Sequence, residues 1–178
     1  MKSLKMKLIL MGVFFTLFFA VNSYGQFFQK GTKLVNLGIG FGGGYGAAGL
    51  NSSVPPISGS FEVGITENIG VGGIIGYSSF GDSGLFGSDI KFNYLLFGAR
   101  GAYHFPVGDK LDLYGGAMLV YNSVSVSGLP AGFPSTGSSG INIGIFAGGR
   151  YMFSESIGAF AELGYSIALI NIGLTAKF

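Results

Sequence analysis

Apolar and polar residues alternate along most of the chain after residue 26. Between Ile141 and Phe153, one set of alternate positions reads Ile, Ile, Ile, Ala, Gly, Tyr, Phe, and the other reads Asn, Gly, Phe, Gly, Arg, Met. A period of two is typical of β-strands, because successive side chains of a strand point to opposite faces. Glycine is too frequent for helices, since it costs about 1 kcal/mol at each interior helix position. The pattern therefore predicts an all-β fold.

Eight segments carry this alternation, each able to cross a membrane as a tilted strand of about 9–11 residues. The predicted strands are Thr32–Phe41, Ile57–Thr66, Ile69–Ser79, Ile90–Phe105, Lys110–Asn122, Gly140–Phe153, Ile157–Ser166 and Leu169–Phe178. An open sheet edge would leave its amides without partners in lipid, so the first strand must pair with the last. We therefore predict an eight-stranded antiparallel up-and-down transmembrane β-barrel.

The connections between the predicted strands alternate in length. Short ones, at Glu67-Asn68, Pro106–Asp109 and Ser154–Ser156, are interleaved with longer ones rich in Gly, Ser and Pro, at Gly42–Pro56, Phe80–Asp89 and Ser123–Ser139. A tight connection at Ile167-Ala168 is the exception. Short turns on one side and longer loops on the other are typical of outer-membrane barrels.

Aromatic residues lie near both ends of the apolar faces. They are Tyr103, Phe105, Tyr151, Phe153 and Phe178 at one end, and Phe41, Tyr77, Tyr121 and Tyr165 at the other. Two such girdles are typical of a surface that faces a bilayer. A soluble periplasmic β-protein is the alternative, because a soluble sandwich also alternates.

The first 25 residues have the features of a cleavable signal peptide. Lys2, Lys5 and Lys7 precede an apolar run from Leu8 to Val21, and small residues follow at Ser23 and Gly25. This arrangement predicts cleavage before Gln26. The run is short for a helix that crosses a bilayer, which takes about 20 apolar residues. We predict a signal peptide over 1–25 and a barrel domain over 26–178, with an uncleaved anchor as the alternative.

Composition removes several classes of function. Charged residues make up 10% of the chain, against about 25% in soluble domains. There is no cysteine and only one histidine, so thiolate and multi-histidine metal centres are excluded. Without the three lysines of the signal segment, 7 basic residues face 8 acidic ones, for a net charge of −1. We therefore expect no nucleic-acid partner and no cofactor.

Several of the 15 remaining charged residues lie on the inward face of the predicted barrel. Strand parity places six of them there: Glu62, Arg100, Asp112, Arg150, Glu162 and Lys177, with His104 also inside. We expect a balanced ion-pair network that plugs the lumen, with Arg150 and Glu162 meeting diagonally across neighbouring strands. A narrow polar channel or a proton path is the alternative.

Two features indicate other chemistry only weakly. His104 could belong to a lipid-modifying enzyme, but no serine or acid obviously activates it, and it lies near the presumed periplasmic end. We therefore expect no enzymatic activity. The segment Gly38–Gly43 has the spelling of a dinucleotide-binding fingerprint, but more glycines follow where a helix would have to begin. It is interpreted as a strand that continues into a loop.

Two hairpins and the last strand carry a resemblance to known proteins. The hairpin segments Gly98–Phe105 with Leu111–Gly116, and Gly148–Phe153 with Phe160–Tyr165, resemble those of the small outer-membrane β-barrel family. That family includes opacity-type adhesins and the transmembrane domains of OmpA-like proteins. The last residues, Leu174–Phe178, resemble the C-terminal aromatic signal of that family, with Phe178 as the terminal aromatic residue. The resemblance implies delivery by periplasmic chaperones and insertion by the outer-membrane assembly machinery.

The expected function is that of an integral outer-membrane barrel with a structural or surface-interaction role. Its outer loops, among them the stretch from Ser123 to Gly140, could meet an extracellular partner, whose identity the sequence does not indicate. The alternative is transport, either as a narrow channel or as a carrier of small apolar molecules. Charges on the inward face favour a plug over an apolar carrier.

Overall fold

A computed structural model describes residues 27–42, 51–83, 89–128, 137–165 and 167–178. Eight strands run through these ranges: β1 Lys33–Phe41, β2 Asn51–Gly64, β3 Ile69–Ser83, β4 Asp89–Pro106, β5 Leu111–Ser127, β6 Ser138–Met152, β7 Ile157–Gly164 and β8 Ile170–Lys177. The predicted signal peptide, 1–25, lies outside the described residues, as does its cleavage site. The described part of the chain contains no helix that is long and apolar enough to span a membrane.

The strands form one closed antiparallel barrel. Each strand pairs with the next along the chain, and β1 also pairs with β8, so that Leu34 lies opposite both Glu62 and Lys177. Because β1 pairs with β8, neither of these strands is left as an unpaired edge of the sheet. The prediction of an eight-stranded antiparallel barrel whose first strand pairs with its last is therefore confirmed.

The alternation of the sequence becomes two faces of the barrel wall. On β1, Leu34 and Asn36 are buried inside, whereas Leu37 is 65% and Ile39 48% exposed on the outer surface. Outward residues of the other strands are also large and apolar, and include Phe61, Ile75, Phe97, Leu119, Ile145, Leu163 and Leu174. The predicted terminal aromatics lie on this surface; Tyr151, for example, is 53% exposed. The barrel thus has an apolar outside and a more polar inside.

Several strands are longer than the sequence pattern predicted. The predicted loops Gly42–Pro56, Phe80–Asp89 and Ser123–Ser139 are wrong in part, because β2 begins at Asn51, β3 continues to Ser83 and β5 continues to Ser127. On β5 the period of two continues, but Val124 and Val126 now share the inward face of Asn122. A strand whose apolar side chains face inwards and whose serines face outwards no longer resembles a lipid-facing strand, so the sequence suggested a loop.

The wall of the barrel is uneven in height. Strands β3 to β6 are 15 to 18 residues long, whereas β1 has 9 and β7 and β8 have 8 each. The tight connection between β7 and β8 lies on the side of the short strands. Its residues Ile167 and Ala168 are 6% and 3% exposed, because they turn into the lumen instead of pointing outwards.

Candidate functional site: the filled lumen

Four charged or titratable side chains meet in the lumen near the short turns. Glu62 comes from β2, His104 from β4, Asp112 from β5 and Arg150 from β6. The guanidinium of Arg150 donates from Nη1 to Asp112 Oδ2 at 2.7 Å and from Nη2 to Glu62 Oε2 at 3.1 Å. Asp112 and Arg150 are direct cross-strand neighbours, whereas Glu62 reaches Arg150 from a strand that is not adjacent to β6. These contacts tie opposite walls of the barrel together.

His104 lies between the two carboxylates. Its Nδ1 is 2.9 Å from Asp112 Oδ1, and its Nε2 contacts Glu62 Oε1. An imidazole can donate from both ring nitrogens only when it carries two protons. In that form His104 supplies the positive charge that satisfies both acids at once.

A second ion pair lies farther from the turns. Arg100 Nη2 donates to Glu162 Oε2 at 2.8 Å, and the Tyr114 hydroxyl donates to the same oxygen at 3.1 Å. Arg100 also lies over the ring of Phe146, with its guanidinium carbon 4.0 Å from the ring centre. Arg150 lies in the same way over Tyr114, at 3.9 Å. Cation–π contacts of this kind gain strength when both groups are desolvated.

These side chains form the ionic layer of the lumen: Glu62, Arg100, His104, Asp112, Arg150 and Glu162. None is more than 5% exposed. With a protonated His104 the layer contains three positive and three negative charges. Buried charges are tolerated when they are paired and hydrogen-bonded, so the layer can fill the lumen without a net charge.

The N-terminal described residues pack into the turn-side end of the lumen. The ring of Phe28 stacks on His104, with centroids 3.5 Å apart and planes at 4°. Phe27 and Phe28 are each 4% exposed and form a cluster with Leu34 and Met152. The segment is held by backbone hydrogen bonds between Gly31 and Gly64 and between Gly64 and Thr32. We call Phe27 and Phe28 the turn-side stopper.

Apolar side chains fill the opposite half of the lumen. They form the apolar layer: Ile74, Leu96, Met118, Val120, Ile167 and Ala168. We call Ile167 and Ala168 the loop-side stopper, because they extend into the lumen from the β7–β8 connection. Gly76 leaves room for Ile167, because a Cβ at that position would meet the end of the isoleucine side chain. Buried side chains therefore occupy both the turn-side and the loop-side half of the lumen among the described residues.

The predicted site residues divide into those that meet and those that do not. The structure brings Glu62, Arg100, Asp112, Arg150 and Glu162 into buried ion pairs. Arg150 and Glu162 do not pair with each other as expected, because Arg150 is held between Glu62 and Asp112 while Glu162 is held by Arg100. The diagonal pairing is therefore wrong, although Arg150 and Glu162 lie on adjacent strands.

Lys177 also differs from the expectation. Its Nζ donates to the backbone carbonyl oxygen of Phe27 at 2.6 Å and lies 4.6 Å from the centre of the Phe27 ring. It makes no ion pair within the described ranges. His104 takes the place that Lys177 was expected to fill in the charge balance. Lys177 instead contacts Phe27 of the turn-side stopper.

Sequence reasoning missed the stoppers and the aromatic platforms. Phe27 and Phe28 precede the first predicted strand, and their only signal is two adjacent aromatic residues directly after a predicted cleavage site. Tyr114 has inward parity, but parity alone does not indicate that it lies under a guanidinium. Phe178 is at the end of β8, 76% exposed, and its backbone exchanges hydrogen bonds with Lys33.

Among the described residues, no group of three or more His, Asp or Glu side chains is arranged to hold a metal. The Gly38–Phe41 part of the fingerprint-like segment is strand that pairs with β8, and Gly38 and Ile39 also pair with β2. Residue 43 lies outside the described residues.

The strand pairing and the exposed side chains define a small, closed, eight-stranded antiparallel barrel with an apolar outer surface. Solved structures of the same fold include outer-membrane proteins and a designed transmembrane β-barrel. The outer membrane protein OprG of Pseudomonas aeruginosa matches with a TM-score of 0.58 at 14% identity, over 85% of this chain and 97% of OprG. The N-terminal β-barrel domain of OprF from the same species matches with a TM-score of 0.52 at 18% identity, over 84% of this chain and 98% of that domain.

A third match is Ail, the attachment invasion locus protein of Yersinia pestis, solved with the heparin analogue sucrose octasulfate. It has a TM-score of 0.51 at 14% identity, over 84% of this chain and 96% of Ail. No model of a protein family matches the sequence, and no curated protein matches it. The resemblance to small outer-membrane barrels is confirmed at the level of the fold.

Proposed function

We propose that the chain is an integral outer-membrane barrel with a sealed lumen, and that its role is structural or surface interaction through the loop-side end. The observation that carries this proposal is the lumen itself. In support of it, the ionic layer pairs its charges internally, and the two stoppers place buried side chains towards either end of the lumen. A barrel of eight strands has an interior that side chains can fill, so no open pore follows from the fold.

The outer surface supports a position in the membrane. It carries large exposed apolar residues between two sets of aromatic ones, as a barrel in lipid requires. We further propose that residues 1–25 are removed as a signal peptide. Periplasmic chaperones would then deliver the barrel to the assembly machinery, which would recognise Phe178. The name of Ail indicates that a barrel of this fold can serve attachment.

The alternatives receive less support. A carrier of apolar molecules would need an apolar lumen, whereas half of this lumen holds paired charges. A lipid-modifying enzyme would need a reactive group that lipid can reach. His104 is 2% exposed, enclosed by Phe28 and by two carboxylates that already occupy both ring nitrogens. We therefore propose no enzymatic role.

Single-channel recording tests the sealed lumen. Residues 26–178 would be refolded and inserted into a planar bilayer, and insertion would be verified by the shift in gel mobility between unheated and heated samples. We expect an inserted but electrically silent barrel. Discrete conductance steps from the unmodified protein would overturn the proposal and would favour a narrow channel.

A further inference from the structure

Three buried oxygen atoms on two neighbouring strands have no hydrogen-bond partner in the described part of the chain. They are Asn36 Oδ1 on β1 and Thr175 Oγ1 and Asn171 Oδ1 on β8. Asn36 and Thr175 are 2% and 1% exposed and lie directly opposite each other. Buried polar atoms in proteins are nearly always satisfied, by protein groups or by ordered water. Three orphan oxygens in one sector of the lumen therefore need an explanation.

The orientation of the two amides does not remove the problem. Asn36 Nδ2 donates to Ser60 Oγ at 3.1 Å, and Asn171 Nδ2 donates to Ser58 Oγ at 2.8 Å. Turning either amide over would bring its oxygen to the serine and leave its nitrogen alone instead. In either orientation, one polar atom of each amide therefore has a serine as its partner and the other atom has none.

These residues form a continuous polar file on the inner wall. We define it as Glu62, Ser60 and Ser58 on β2, Asn36 on β1, and Thr175 and Asn171 on β8. Cross-strand pairing joins Asn36 to both Ser60 and Thr175. Glu62 follows Ser60 on the same face of β2, so the file runs into the ionic layer.

Both ends of the polar file are covered. Leu34, which is fully buried, lies beside Glu62 at the turn-side end and belongs to the same cluster as the turn-side stopper. At the other end, Asn171 is opposite Gly40, and a Cβ on Gly40 would meet the side chain of Ala168 in the loop-side stopper. Apolar side chains thus lie at both ends of the polar file, which does not continue to either end of the lumen.

We propose that the polar file binds a row of internal water molecules, which donate to Asn36 and Asn171, exchange hydrogen bonds with the Thr175 hydroxyl and connect them to Glu62. Internal water commonly satisfies buried polar groups in this way and makes about three hydrogen bonds per molecule. A carboxylate has about four lone-pair sites, so Glu62 can accept from water in addition to His104 and Arg150.

Water fits the file better than a cation does. A monovalent cation would also be attracted by amide and hydroxyl oxygens. However, Arg150 lies at one end, 3.1 Å from Glu62, and Lys177 follows Thr175 on the same face of β8. Two fixed positive charges beside the site disfavour a third, whereas water can orient its oxygen or its hydrogens to suit either neighbour.

A variant without the threonine hydroxyl gives the first test. Thr175→Val has nearly the same shape, so its effect reports the hydroxyl. If the hydroxyl binds water, we expect the thermal unfolding midpoint of the protein purified from membranes to fall by about 2–4 °C. If the file is dry, removing an orphan hydroxyl leaves the midpoint unchanged or raises it, and that result would overturn the proposal.

A second buried threonine calibrates this test. Thr32 is 5% exposed, and its Oγ1 accepts a hydrogen bond from the backbone nitrogen of Gln29 at 3.1 Å. Thr32→Val therefore removes a hydrogen bond to protein, and its midpoint must fall. A fall for Thr175→Val comparable to that of Thr32→Val supports bound water.

Nuclear magnetic resonance of the unmodified protein tests the proposal without any variant. Transfer of magnetisation from water to the side-chain amides of Asn36 and Asn171 is expected, with the sign that marks long-lived bound molecules. Its absence at both amides would overturn the proposal. Exchanging sodium for choline at constant ionic strength separates water from a bound cation. Signals that move with the salt would overturn water in favour of the cation.

Discussion

Different kinds of side chain lie in the two halves of the lumen. Near the turns, the ionic layer contains charged side chains that contact specific partners on other strands, such as Arg150 with Glu62 and Asp112. Farther along the same strands, the apolar layer contains side chains such as Leu96 and Val120 that contact their neighbours without directed bonds. Both halves are almost completely buried.

The difference matters because the stability of the ionic layer depends on the charge and hydrogen bonds of its side chains, whereas that of the apolar layer depends on their volume. A buried charge without a partner is strongly destabilising, so the ionic layer requires particular groups at particular positions. An apolar layer tolerates other side chains of similar volume, since no directional bond is lost. Substitutions that preserve shape should therefore affect the ionic half more than the apolar half.

Removing the central cation should have the largest effect. Arg150→Met keeps much of the side-chain length but leaves Glu62 and Asp112 facing each other without the guanidinium. We expect a loss of about 3–5 kcal/mol in the free energy of unfolding, as for other buried pairs that lose one partner. Denaturant titration of the refolded barrel measures it. A loss below about 1 kcal/mol, the range of exposed pairs, would mean that water reaches the ionic layer.

A matched pair of shape-preserving substitutions sharpens the comparison. Glu162→Gln removes only the charge that Arg100 and Tyr114 contact, and should cost about 1.5–3 kcal/mol, the range of hydrogen bonds to charged groups. Leu96→Met in the apolar layer should cost less than about 1.5 kcal/mol. Denaturant midpoints of the two variants, measured side by side, decide the order. Equal losses would contradict the distinction between the halves.

Two glycines on β3 extend the comparison to the barrel wall. A Cβ at Gly72, beside Glu62, would lie 2.7 Å from the backbone carbonyl carbon of Phe61. A Cβ at Gly76 would meet the tip of the Ile167 side chain, which can turn away, although Ile57 O is also near at 3.3 Å. We expect Gly72→Ala to cost about 1–3 kcal/mol by overpacking and Gly76→Ala to cost less.

The adjacent outward glycine provides the control for this pair. At Gly73 the nearest atom to a new Cβ is 3.5 Å away, an ordinary contact. Gly73→Ala should therefore leave the unfolding midpoint nearly unchanged. If Gly72→Ala and Gly73→Ala were equally tolerated, the inward face would be less closely packed than the structure indicates.

The fold was largely predictable from the sequence because strands with one apolar, outward face impose a simple alternation. Parity in β6 and β8 places Ile143 and Leu174 outside, and the structure has them 74% and 61% exposed. The pattern failed where the surface changed from apolar to polar, as at Ser123–Ser127, because there the apolar residues face inwards. An alternating pattern therefore identifies a strand only when it is known which of the two faces of that strand should be apolar.

The ion pairs inside the lumen were less predictable, because parity gives the face on which a residue lies but not which strand its side chain contacts. Glu62 extends across the lumen to Arg150, 88 positions away in sequence, and this contact prevents the shorter diagonal pairing of Arg150 with Glu162. The stoppers lie outside the strands, where no period applies. Phe28 and Ile167 could be placed only once the closed barrel had defined a space for them.

The smallest effect is expected where the two halves are tested as barriers to ions. Phe28→Ala shortens the turn-side stopper, and Ile167→Ala shortens the loop-side stopper. Each variant leaves the other stopper in place, together with the Arg100–Glu162 pair and the Phe146 ring that lies against Arg100. Both should therefore remain silent in planar bilayers, as the unmodified barrel should.

If Phe28→Ala alone conducted, the ionic layer would be permeable and the turn-side stopper would be the barrier of that half. If Ile167→Ala alone conducted, the ionic half would again be permeable, since ions would have to pass between its paired charges to cross the barrel.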